Sequence, residues 1–592
     1  MINSSLKASP PGWLFPCGGD SIRKTTKAED LLLCLLFYPF ILWAALLIAP
    51  CWGGSLLDMI PRLAAAMQAP TKIQWTEQST PSIFVCTGIY VLGLAVYFSS
   101  RRRTRNGEEH GSATWGSARE VNRQFAQKRS KILTRHVRLG LDSRKHRRSL
   151  NVLVIGGSGA AKTRSYVLPN ILEANTNYVI TDPKSEVLLA TGDYLKSKGY
   201  EIRVLNLVNL SESDGYNPFR YLRDEKDALK LVNNLIQATT PKGSHENDPF
   251  WTKAETALLQ AIILMLMEEA PPEEQNFSMV VRTLEYAEVS EDDDSAASPL
   301  DILYESLERR HPESVAVRQY KVFKQAAGKT AKSILVSAAV RLAAFNLPQV
   351  KAITDHDDMD LYSLGERKVA LYAVIPDNDN SFSFLVSLLY SQVFQALYYS
   401  ADQIYHGALP YHVHLVLDEF AAMPLPGFTR ELATMRSRNI SASTIIQNMA
   451  QIKSLYKDDW ETIPGNSDTI LYLGGNEAST HKYISEMLGK STIDLKTHGE
   501  SKGRSGSYST NYQMAGRELL TPDEVRKLDN RYAILFIRGA KPVMDLKYDL
   551  MKHPAIRQTS LGGGAPYIHH STPAQMGKPL FSPMSQLRKE QP

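Results

Sequence analysis

Residues 152–166 read VLVIGGSGAAKTRSY, a short apolar run followed by a glycine-rich turn and a Lys-Thr pair. Its apolar first part, residues 152–155, is typical of a buried parallel β-strand, and the two glycines that follow it indicate a turn. In a loop of this design, backbone N–H groups wrap phosphates, the lysine reaches the β- and γ-phosphates, and the threonine coordinates magnesium. The pattern therefore predicts a Walker A nucleotide site made of Gly156, Gly157, Ser158, Gly159, Ala160, Ala161, Lys162, Thr163 and Arg164.

Ala161 departs from this pattern, because it stands directly before the lysine, where the usual loop has glycine. Glycine is needed wherever φ is positive or a side chain would strike phosphate. An alanine held at such a φ costs on the order of 1–3 kcal/mol. Since Gly156, Gly157 and Gly159 remain, we expect nucleotide binding to be weakened and not abolished. An ordinary glycine-rich turn between a strand and a helix is the alternative interpretation.

A second strand should supply the carboxylates of such a site. The run HVHLVLDEFAAMP, residues 412–424, has an apolar part that ends in Asp418 and Glu419, as a Walker B strand does. Asp418 would hold the magnesium shell, and Glu419 would polarise the attacking water as general base. Gln447 ends the following strand, and it either senses the γ-phosphate or orients water, or it is a solvated loop amide.

Six further segments have the apolar character of strands, and they lie at residues 177–182, 201–207, 368–376, 441–447, 468–475 and 532–539. Most are continuously apolar, as buried parallel strands are. They predict an α/β sheet covered by helices on both faces, the kind that P-loop motor ATPases use. The DPKSE segment, residues 182–186, follows a strand expected to neighbour the P-loop strand, so its charges are expected to line the site. Residues 498–513 are rich in Gly and Ser and predict a mobile loop.

Two uncharged apolar runs, residues 31–52 and 81–100, have the length of membrane-spanning helices. Basic residues precede the first run, at Arg23, Lys24 and Lys27, and RRRTR at residues 101–105 follows the second. By the positive-inside rule both flanks are cytoplasmic, and only the roughly 30-residue segment between the runs lies outside. A cleaved signal peptide and a pair of buried core helices are the alternatives, and the late start and the length of the runs disfavour both.

Composition restricts the chemistry of the remaining chain. All four cysteines lie in the first 86 residues, which excludes disulfides and cysteine-based zinc sites from the main body. The net charge of +5 over 592 residues permits nucleic-acid binding without indicating it, since only a concentrated basic face would do so. Either a DNA path or a solvated face would explain the basic residues at Lys321, Lys324, Lys329, Lys332 and Arg341.

An ordered set of segments resembles the type IV secretion coupling proteins, the TraG/TraD (VirD-type) family of conjugative DNA-transfer ATPases. The segments are HGSATWGSARE, GGSGAAKTR, TDPKSEV, YNPF, DPFWTKAETALL, LVLDEFAAMP, ELATMRSRNISASTIIQNMAQIKSLY and ELLTPDEVRKL, between about residues 30 and 550. The resemblance implies an α/β fold in which a RecA-like P-loop motor domain carries an inserted all-α domain and follows an N-terminal two-helix transmembrane hairpin.

The resulting domain division has four parts. They are an N-terminal membrane anchor at 1–105, a RecA-like nucleotide-binding domain at 106–221 and 351–554, an inserted all-α domain at 222–350, and a flexible C-terminal tail at 555–592. The insert is dominated by helical periodicity with few strand signals.

The resemblance also implies a homo-hexameric ring in the cell membrane, with most of the chain in the cytoplasm. Such a ring uses ATP and Mg²⁺, here with Thr163 and Asp418 as metal ligands, to transfer relaxase-bound single-stranded DNA into a type IV secretion channel. An arginine of one subunit completes its neighbour's site, and Arg436 is the first candidate, ahead of Arg438. A plain surface charge is the alternative for Arg436.

Two other classes of function remain open. One is a non-hydrolysing membrane receptor or adaptor that recruits relaxase, which the departure at Ala161 favours. The other is an FtsK-like DNA pump, which the apolar N-terminal runs permit.

Overall fold

The structure is a computed structural model, and it describes residues 25–52, 56–100, 108–240, 249–287, 297–326, 328–376, 379, 381–423, 425–501 and 507–569. The basic flanks at Arg23, Lys24 and residues 101–105 lie outside the described residues, as do residues 570–592 of the predicted tail. The chain divides into two compact units, Met1–Asn106 and Gly107–Pro592.

The described part of the first unit consists of the helices α1 (Thr25–Ile48), α2 (Leu56–Met67) and α3 (Ser79–Ser100). Within it, Cys34–Cys51 and Ser79–Tyr97 are long and apolar enough to cross a membrane. Both predicted runs therefore form helices, while the segment between them contains α2, which the sequence interpretation left without structure.

α1 and α3 pack against each other in opposite directions. The Tyr90 hydroxyl donates to the Cys34 carbonyl at 2.7 Å, and the Ser82 hydroxyl donates to the Ala45 carbonyl at 2.7 Å. The residue later in α3 thus pairs with the residue earlier in α1, which defines an antiparallel helix pair.

The second unit opens with four short elements, α4 (Ala118–Phe125), β1 (Ser130–Ile132), β2 (Arg138–Gly140) and α5 (Ser143–His146). β1 and β2 pair antiparallel. α4 begins with a capping box, in which the Ser117 hydroxyl accepts the Glu120 N–H and the Glu120 carboxylate accepts the Ser117 N–H.

The strands that follow in the described residues are β3 (Val152–Ile155), β4 (Asn177–Asp182), β5 (Glu201–Asn206), β6 (Val369–Val374), β7 (Val413–Leu417), β8 (Ile440–Ile446), β9 (Thr469–Tyr472), β10 (Lys490–Ser501), β11 (Ser507–Glu518), β12 (Tyr532–Ile537) and β13 (Val543–Leu546). The central sheet has the order β13-β12-β9-β3-β8-β7-β4-β6-β5. From β9 to β5 all neighbours are parallel, whereas β12 and β13 are added antiparallel at one edge. Every strand predicted from an apolar run is present in this sheet.

One predicted adjacency is wrong. β4, the strand before DPKSE, neighbours β7 and β6 and not the P-loop strand β3. β8 and β7 lie between β3 and β4, because the chain returns to the sheet centre only after residue 412.

The helices after α5 in the described residues are α6 (Leu168–Leu172), α7 (Glu186–Ser197), α8 (Glu225–Thr239), α9 (Pro249–Glu269), α10 (Phe277–Leu284), α11 (Pro299–Arg310), α12 (Val315–Lys324), α13 (Gly328–Leu342), α14 (Pro348–Thr354), α15 (Ser383–Tyr399), α16 (Phe428–Thr434), α17 (Met449–Tyr456), α18 (Thr462–Gly465), α19 (Ala478–Leu488) and α20 (Pro522–Arg526). Between β5 and β6 the described regular structure is helical, from α8 to α14, where the all-α insert is predicted. α9 also contains an apolar stretch of membrane-spanning length, Phe250–Glu269, but 67% of it is buried in the second unit, so it is a core helix of that unit.

Two apolar clusters cover the two faces of the sheet. Val152 and Val154 of β3 belong to the cluster that includes α6 and α7, while Leu153 and Ile155 belong to the cluster formed with the inserted helices and α15. This alternation confirms a sheet buried on both faces, as the continuously apolar strands predict.

The prediction of a mobile loop over residues 498–513 is wrong for the described part of that segment. β10 and β11 form an antiparallel ribbon from the Lys490–Glu518 pair to the Ser501–Ser507 pair. A two-stranded ladder satisfies its backbone without an apolar face, so a polar Ser, Thr and Tyr sequence can form strands that a search for apolar runs overlooks.

The predicted C-terminal tail also begins differently from the expectation. The Tyr567 ring packs against Gly192 in α7, where no Cβ would fit, and His569 Nε2 lies 2.8 Å from Asp214 Oδ1. Residues up to 569 are therefore part of the second unit, because these aromatic contacts attach them to it.

Candidate nucleotide-binding site

The P-loop starts where β3 ends and is fixed by its neighbours in the sheet. The Gly156 N–H donates to the Ile446 carbonyl at 3.0 Å, and the Gly157 N–H donates to the Gly474 carbonyl at 2.8 Å. The carboxyl ends of β8 and β9 thus hold both sides of the loop. After the loop the chain makes a π-helical turn, Thr163–Val167, before α6.

Ala161 adopts the backbone conformation that the sequence pattern assigns to glycine. Its φ is 62°, in the left-handed region, and Gly159 two residues earlier has a φ of 76°. The Ala161 carbonyl accepts the Ser165 N–H at 2.8 Å and the Ser165 hydroxyl at 2.7 Å. The loop therefore keeps a positive φ at this position, and alanine carries the strain that glycine would avoid.

The charged residues of the two motifs converge at the carboxyl edge of the sheet. Lys162 is buried, and its Nζ lies 3.6 Å from Glu419 Oε1. The Thr163 hydroxyl donates to Asp418 Oδ2 at 3.1 Å. The strand order separates β3 from β7 by β8 alone, so the Walker A and Walker B side chains are within contact of each other.

Gln447 follows β8 and therefore lies between the two motifs. Its Nε2 donates to Glu419 Oε2 at 3.0 Å, and its backbone N–H donates to Gln451 Oε1 at 2.8 Å. The solvated-amide interpretation is wrong, because the side chain is hydrogen-bonded to the predicted general base. Gln451 itself was not predicted, since an amide on the next helical turn carries no sequence signal of its own.

These residues open onto a cavity of about 550 Å³. Ser158 and Thr163 contribute from the P-loop, Asp418, Glu419 and Ala421 from the segment after β7, and Gln447 and Gln451 from the segment after β8. The DPKSE segment lines the same cavity with Asp182, Lys184 and Glu186, as predicted, although from beyond the Walker B strand.

Two buried carboxyl groups in this cavity hold protons more tightly than usual. Burial, reinforced by the neighbouring Glu419 charge, raises the pKa of Asp418 to about 6. Burial likewise raises the pKa of Asp182 to about 6, although its carboxylate accepts the Leu188 N–H at 2.8 Å. A cation in the cavity would favour the ionised form of both groups.

The oxygen atoms of Thr163 and Asp418 fit the donor set that Mg²⁺ prefers. Within the described ranges, no cluster of three or more His, Cys, Asp or Glu side chains forms a complete metal site. A magnesium ion here would accordingly complete its shell with phosphate oxygens and water, as it does in nucleotide sites.

The remaining predicted site residues lie at the periphery. Arg164 is exposed after the P-loop, and Arg436 is exposed in the turn Met435–Arg438. Arg438 pairs with Asp402 at 2.8 Å and stacks on Tyr398, so it is already engaged. For Arg436, no ion pair is found within the part of the chain that the structure describes.

The basic residues of the insert separate into three groups. Arg341 is only 11% exposed at its side chain and bonds to Glu255 at 2.6 Å, so it does not belong to a solvated face. Lys321 pairs with Glu308, and Lys324 lies 3.0 Å from Asp301. Lys329 and Lys332 are exposed on α13.

A P-loop and an acidic strand, separated by one strand of a parallel sheet and with a glutamine between them, define a RecA-like P-loop nucleotide-binding protein. The sequence matches the family described as Type IV secretory system Conjugative DNA transfer over residues 106–555, more than half of the chain. The chain belongs to this family.

Its relatives are distant. It is 23% identical over 406 residues to the conjugal transfer protein TraG of Rhizobium radiobacter. The aligned part covers 66% of this chain and 60% of that protein. The chain is 24% identical over 495 residues to the protein VirD4 of Rhizobium rhizogenes, which covers 78% of this chain and 68% of that protein. The chain thus spans 60% of the length of that TraG and about two thirds of that VirD4.

Solved structures share the fold. The plasmid coupling protein TrwB in complex with ADP and Mg²⁺ is similar with a TM-score of 0.53 and 16% identity, over 74% of this chain and 94% of that one. TrwB in complex with the ATP analogue ADPNP gives a TM-score of 0.54 at 16% identity, over 74% and 96%. At this identity the likeness shows the fold alone, and it confirms the RecA-like motor with an all-α domain.

Proposed function

We propose that this protein is a membrane-anchored ATPase that couples relaxase-bound single-stranded DNA to a type IV secretion channel and drives its transfer in conjugation. The observation that carries the proposal is the convergence of Thr163, Asp418, Glu419 and Gln447 on one cavity, with Lys162 Nζ 3.6 Å from Glu419 Oε1. Membership of the conjugative DNA transfer family supplies the context.

The site residues have distinct roles in ATP hydrolysis. Lys162 would neutralise the β- and γ-phosphates, while Thr163 and Asp418 would hold Mg²⁺. Bound MgATP supplies the polarised phosphoryl group. Glu419 accepts the proton of the attacking water, and Gln447 holds Glu419 in position through the bond between their side chains.

The motor is favoured over the adaptor by the shape of the loop. An adaptor with a degenerate site has no need to keep Ala161 at a strained positive φ, yet the loop retains that conformation. The family match over residues 106–555 favours conjugative transfer over an FtsK-like pump.

The proposal extends to the assembly. Subunits form a homo-hexameric ring in which the exposed Arg436 guanidinium completes the neighbouring site. The membrane anchor at 1–105 has two spans, the motor domain at 106–221 and 351–554 carries the all-α insert at 222–350, and the bulk of the chain is cytoplasmic. The antiparallel packing of α1 and α3 supports two spans.

The test is ATP hydrolysis by the full chain in detergent or nanodiscs, with and without single-stranded DNA. We expect DNA-stimulated turnover that falls at least about 100-fold in Glu419→Gln, because general-base catalysis contributes about that much. Lys162→Ala should also lose turnover, because it lacks the charge that holds the phosphates.

Two exposed residues provide matched controls, Lys196→Ala and Glu225→Gln, which should retain the turnover of the wild type. Unchanged hydrolysis in Lys162→Ala would refute the site. An assembled wild-type protein that binds relaxase and hydrolyses no ATP would support the adaptor instead.

A further inference from the structure

Two polar side chains outside the Walker motifs, Lys547 and Asn530, contact backbone carbonyl groups of the P-loop. Lys547 Nζ donates to the Ala160 carbonyl at 3.0 Å and to Asn530 Oδ1 at 2.6 Å. The Asn530 amide donates in turn to the Gly159 carbonyl at 3.5 Å. Both carbonyls belong to the loop immediately before Ala161.

The topology explains how residues so late in the chain reach this loop. β9 runs parallel to β3, β12 runs antiparallel to β9, and β13 runs antiparallel to β12. The start of β12 and the end of β13 therefore lie at the same edge of the sheet as the P-loop. Asn530 precedes β12 and Lys547 follows β13, and the Lys547 N–H donates to the Arg531 carbonyl at 2.8 Å.

The contact at Ala160 determines the orientation of one peptide plane. A trans peptide is planar, so its N–H points opposite to its C=O. When Lys547 holds the Ala160 carbonyl on the outer side, the N–H of Ala161 must point to the opposite side of the same plane. In a phosphate-binding loop this is the side on which successive N–H groups face the anion.

The peptide plane after Ala161 is fixed as well. Its carbonyl accepts both the N–H and the hydroxyl of Ser165, at 2.8 and 2.7 Å. Rotation about φ and ψ is the relative rotation of these two planes, so holding both planes holds Ala161 in its left-handed conformation. A glycine would reach that conformation without such restraint.

The surroundings of Lys547 allow it to remain a charged hydrogen-bond donor to the Ala160 carbonyl. It is half-buried, and its burial lowers its pKa to about 8, so the ammonium form still prevails at neutral pH. A hydrogen bond from a charged donor is stronger than one between neutral groups.

We propose that Lys547, assisted by Asn530, is a positioning residue that keeps the P-loop in its phosphate-binding conformation and thereby compensates for the alanine at position 161. The inference rests on the proposed nucleotide-binding function. It assigns a role at the site to a residue 385 positions from Lys162, outside both Walker motifs.

A double-mutant cycle between the two positions tests the proposal in the full chain. The variants are Lys547→Met, Ala161→Gly and their combination, and the probe is ADP with Mg²⁺ in a calorimetric titration. We expect Lys547→Met to weaken ADP binding on the order of tenfold, as loss of a charged hydrogen bond does. In the Ala161→Gly background the same change should cost less than about threefold, because glycine needs no support at positive φ.

Two further variants separate positioning from general structure. Lys547→Arg retains a charged donor and should recover part of the affinity, while Lys541→Met removes an exposed lysine from the turn between β12 and β13 and should leave the affinity unchanged. Equal losses from Lys547→Met in both backgrounds would overturn the proposal, because the effect would then not pass through Ala161.

A second readout needs no nucleotide. Amide hydrogen exchange over residues 156–166 should be faster in Lys547→Met than in the wild type, and near the wild-type rate in Lys547→Arg. Unchanged exchange overturns the positioning role even if ADP binds. Conversely, a wild-type protein that binds no ADP refutes the proposed function, while faster exchange in Lys547→Met still supports the hold on the loop.

Discussion

Among single residues, Lys131 is unusual because its amine is buried. Its Nζ lies 2.7 Å from the Leu150 carbonyl, 2.9 Å from His414 Nδ1 and 3.1 Å from Ser441 Oγ. No carboxylate pairs with it among the described side chains. Burial lowers its pKa well below the usual 10.5, because the interior disfavours an unpaired charge.

This burial predicts a pH dependence of stability. Well above pH 10.5, the amine is neutral whether the chain is folded or unfolded. As the pH falls below that value, the unfolded chain takes up a proton that the folded chain resists, so the wild type loses stability toward neutral pH. The loss is at most about 1.4 kcal/mol per pH unit.

Lys131→Met should remove this dependence. Compared with the wild type, the variant should become relatively more stable as the pH is lowered from 9 to 7, as measured by the apparent Tm at each pH. Lys128→Met changes a neighbouring exposed lysine and should track the wild type. If the apparent Tm of Lys131→Met and of the wild type changed in parallel with pH, the folded chain would hold the Lys131 proton as tightly as the unfolded chain, and the prediction would be wrong.

The P-loop backbone is partly written in its motif and partly fixed by distant residues. The spacing of glycines predicted that position 161 needs a positive φ, and Ala161 has a φ of 62°. The same reasoning could not find Gln451 or Lys547, because each reaches the site through a tertiary contact that the spacing of the glycines does not specify. Whether Ala161 weakens nucleotide binding stays a prediction.

Among the helices of the insert, Arg341 of α13 joins α8 and α9. Its guanidinium bonds Glu255 of α9 at 2.6 and 3.1 Å, and it donates to the Ile236 carbonyl of α8 at 3.1 Å. The pair is nearly excluded from solvent, with side-chain exposures of 11% for Arg341 and 4% for Glu255. Removing one partner of such a pair leaves an uncompensated buried charge.

We therefore expect Arg341→Met to destabilise the insert by about 3–5 kcal/mol. A lower apparent Tm should report the loss, and Arg341→Met combined with Glu255→Met should recover part of it. Lys329→Met, an exposed change on the same helix, should leave the Tm unchanged. Reduced affinity for single-stranded DNA at an unchanged Tm would instead place Arg341 in a DNA path.

Sequence periodicity predicted most elements of the sheet but not the ribbon of β10 and β11. Strands buried on both faces are apolar at nearly every position, so a run such as the one at β6 is recognisable locally. A ribbon held mainly by backbone hydrogen bonds has no such requirement, and its polar sequence resembles a loop.

At the scale of the whole molecule, the apolar helices α1 and α3 predict a defined topology. Single cysteines can report it after Cys17, Cys34, Cys51 and Cys86 are replaced by serine. A membrane-impermeant maleimide should label Thr71→Cys in intact cells, because the positive-inside rule predicts that the segment between the two apolar helices lies outside. Ser437→Cys, in the second unit, should react only after permeabilisation.

Labelling of Ser437→Cys in intact cells would show that the second unit lies outside, which is the opposite of the predicted orientation. Protection of both positions until the membrane is opened would contradict two spans. A serine-substituted protein without added cysteines supplies the background signal.

Local features could be predicted from the order of residues alone: the phosphate-binding loop, the acidic strand end, the apolar helices and nearly every buried strand. Each of these features depends on a few consecutive residues, because side-chain periodicity or the backbone conformation of a turn restricts which residue types can occur there. Which strands and helices lie next to each other could be read only from the three-dimensional structure. Inserting β8 between β3 and β7 brings Gln447 to Glu419, and adding β12 and β13 antiparallel brings Lys547 to Ala160. Strand order depends on the burial of both faces of the sheet by helices that are distant in the chain, and no local pattern encodes it.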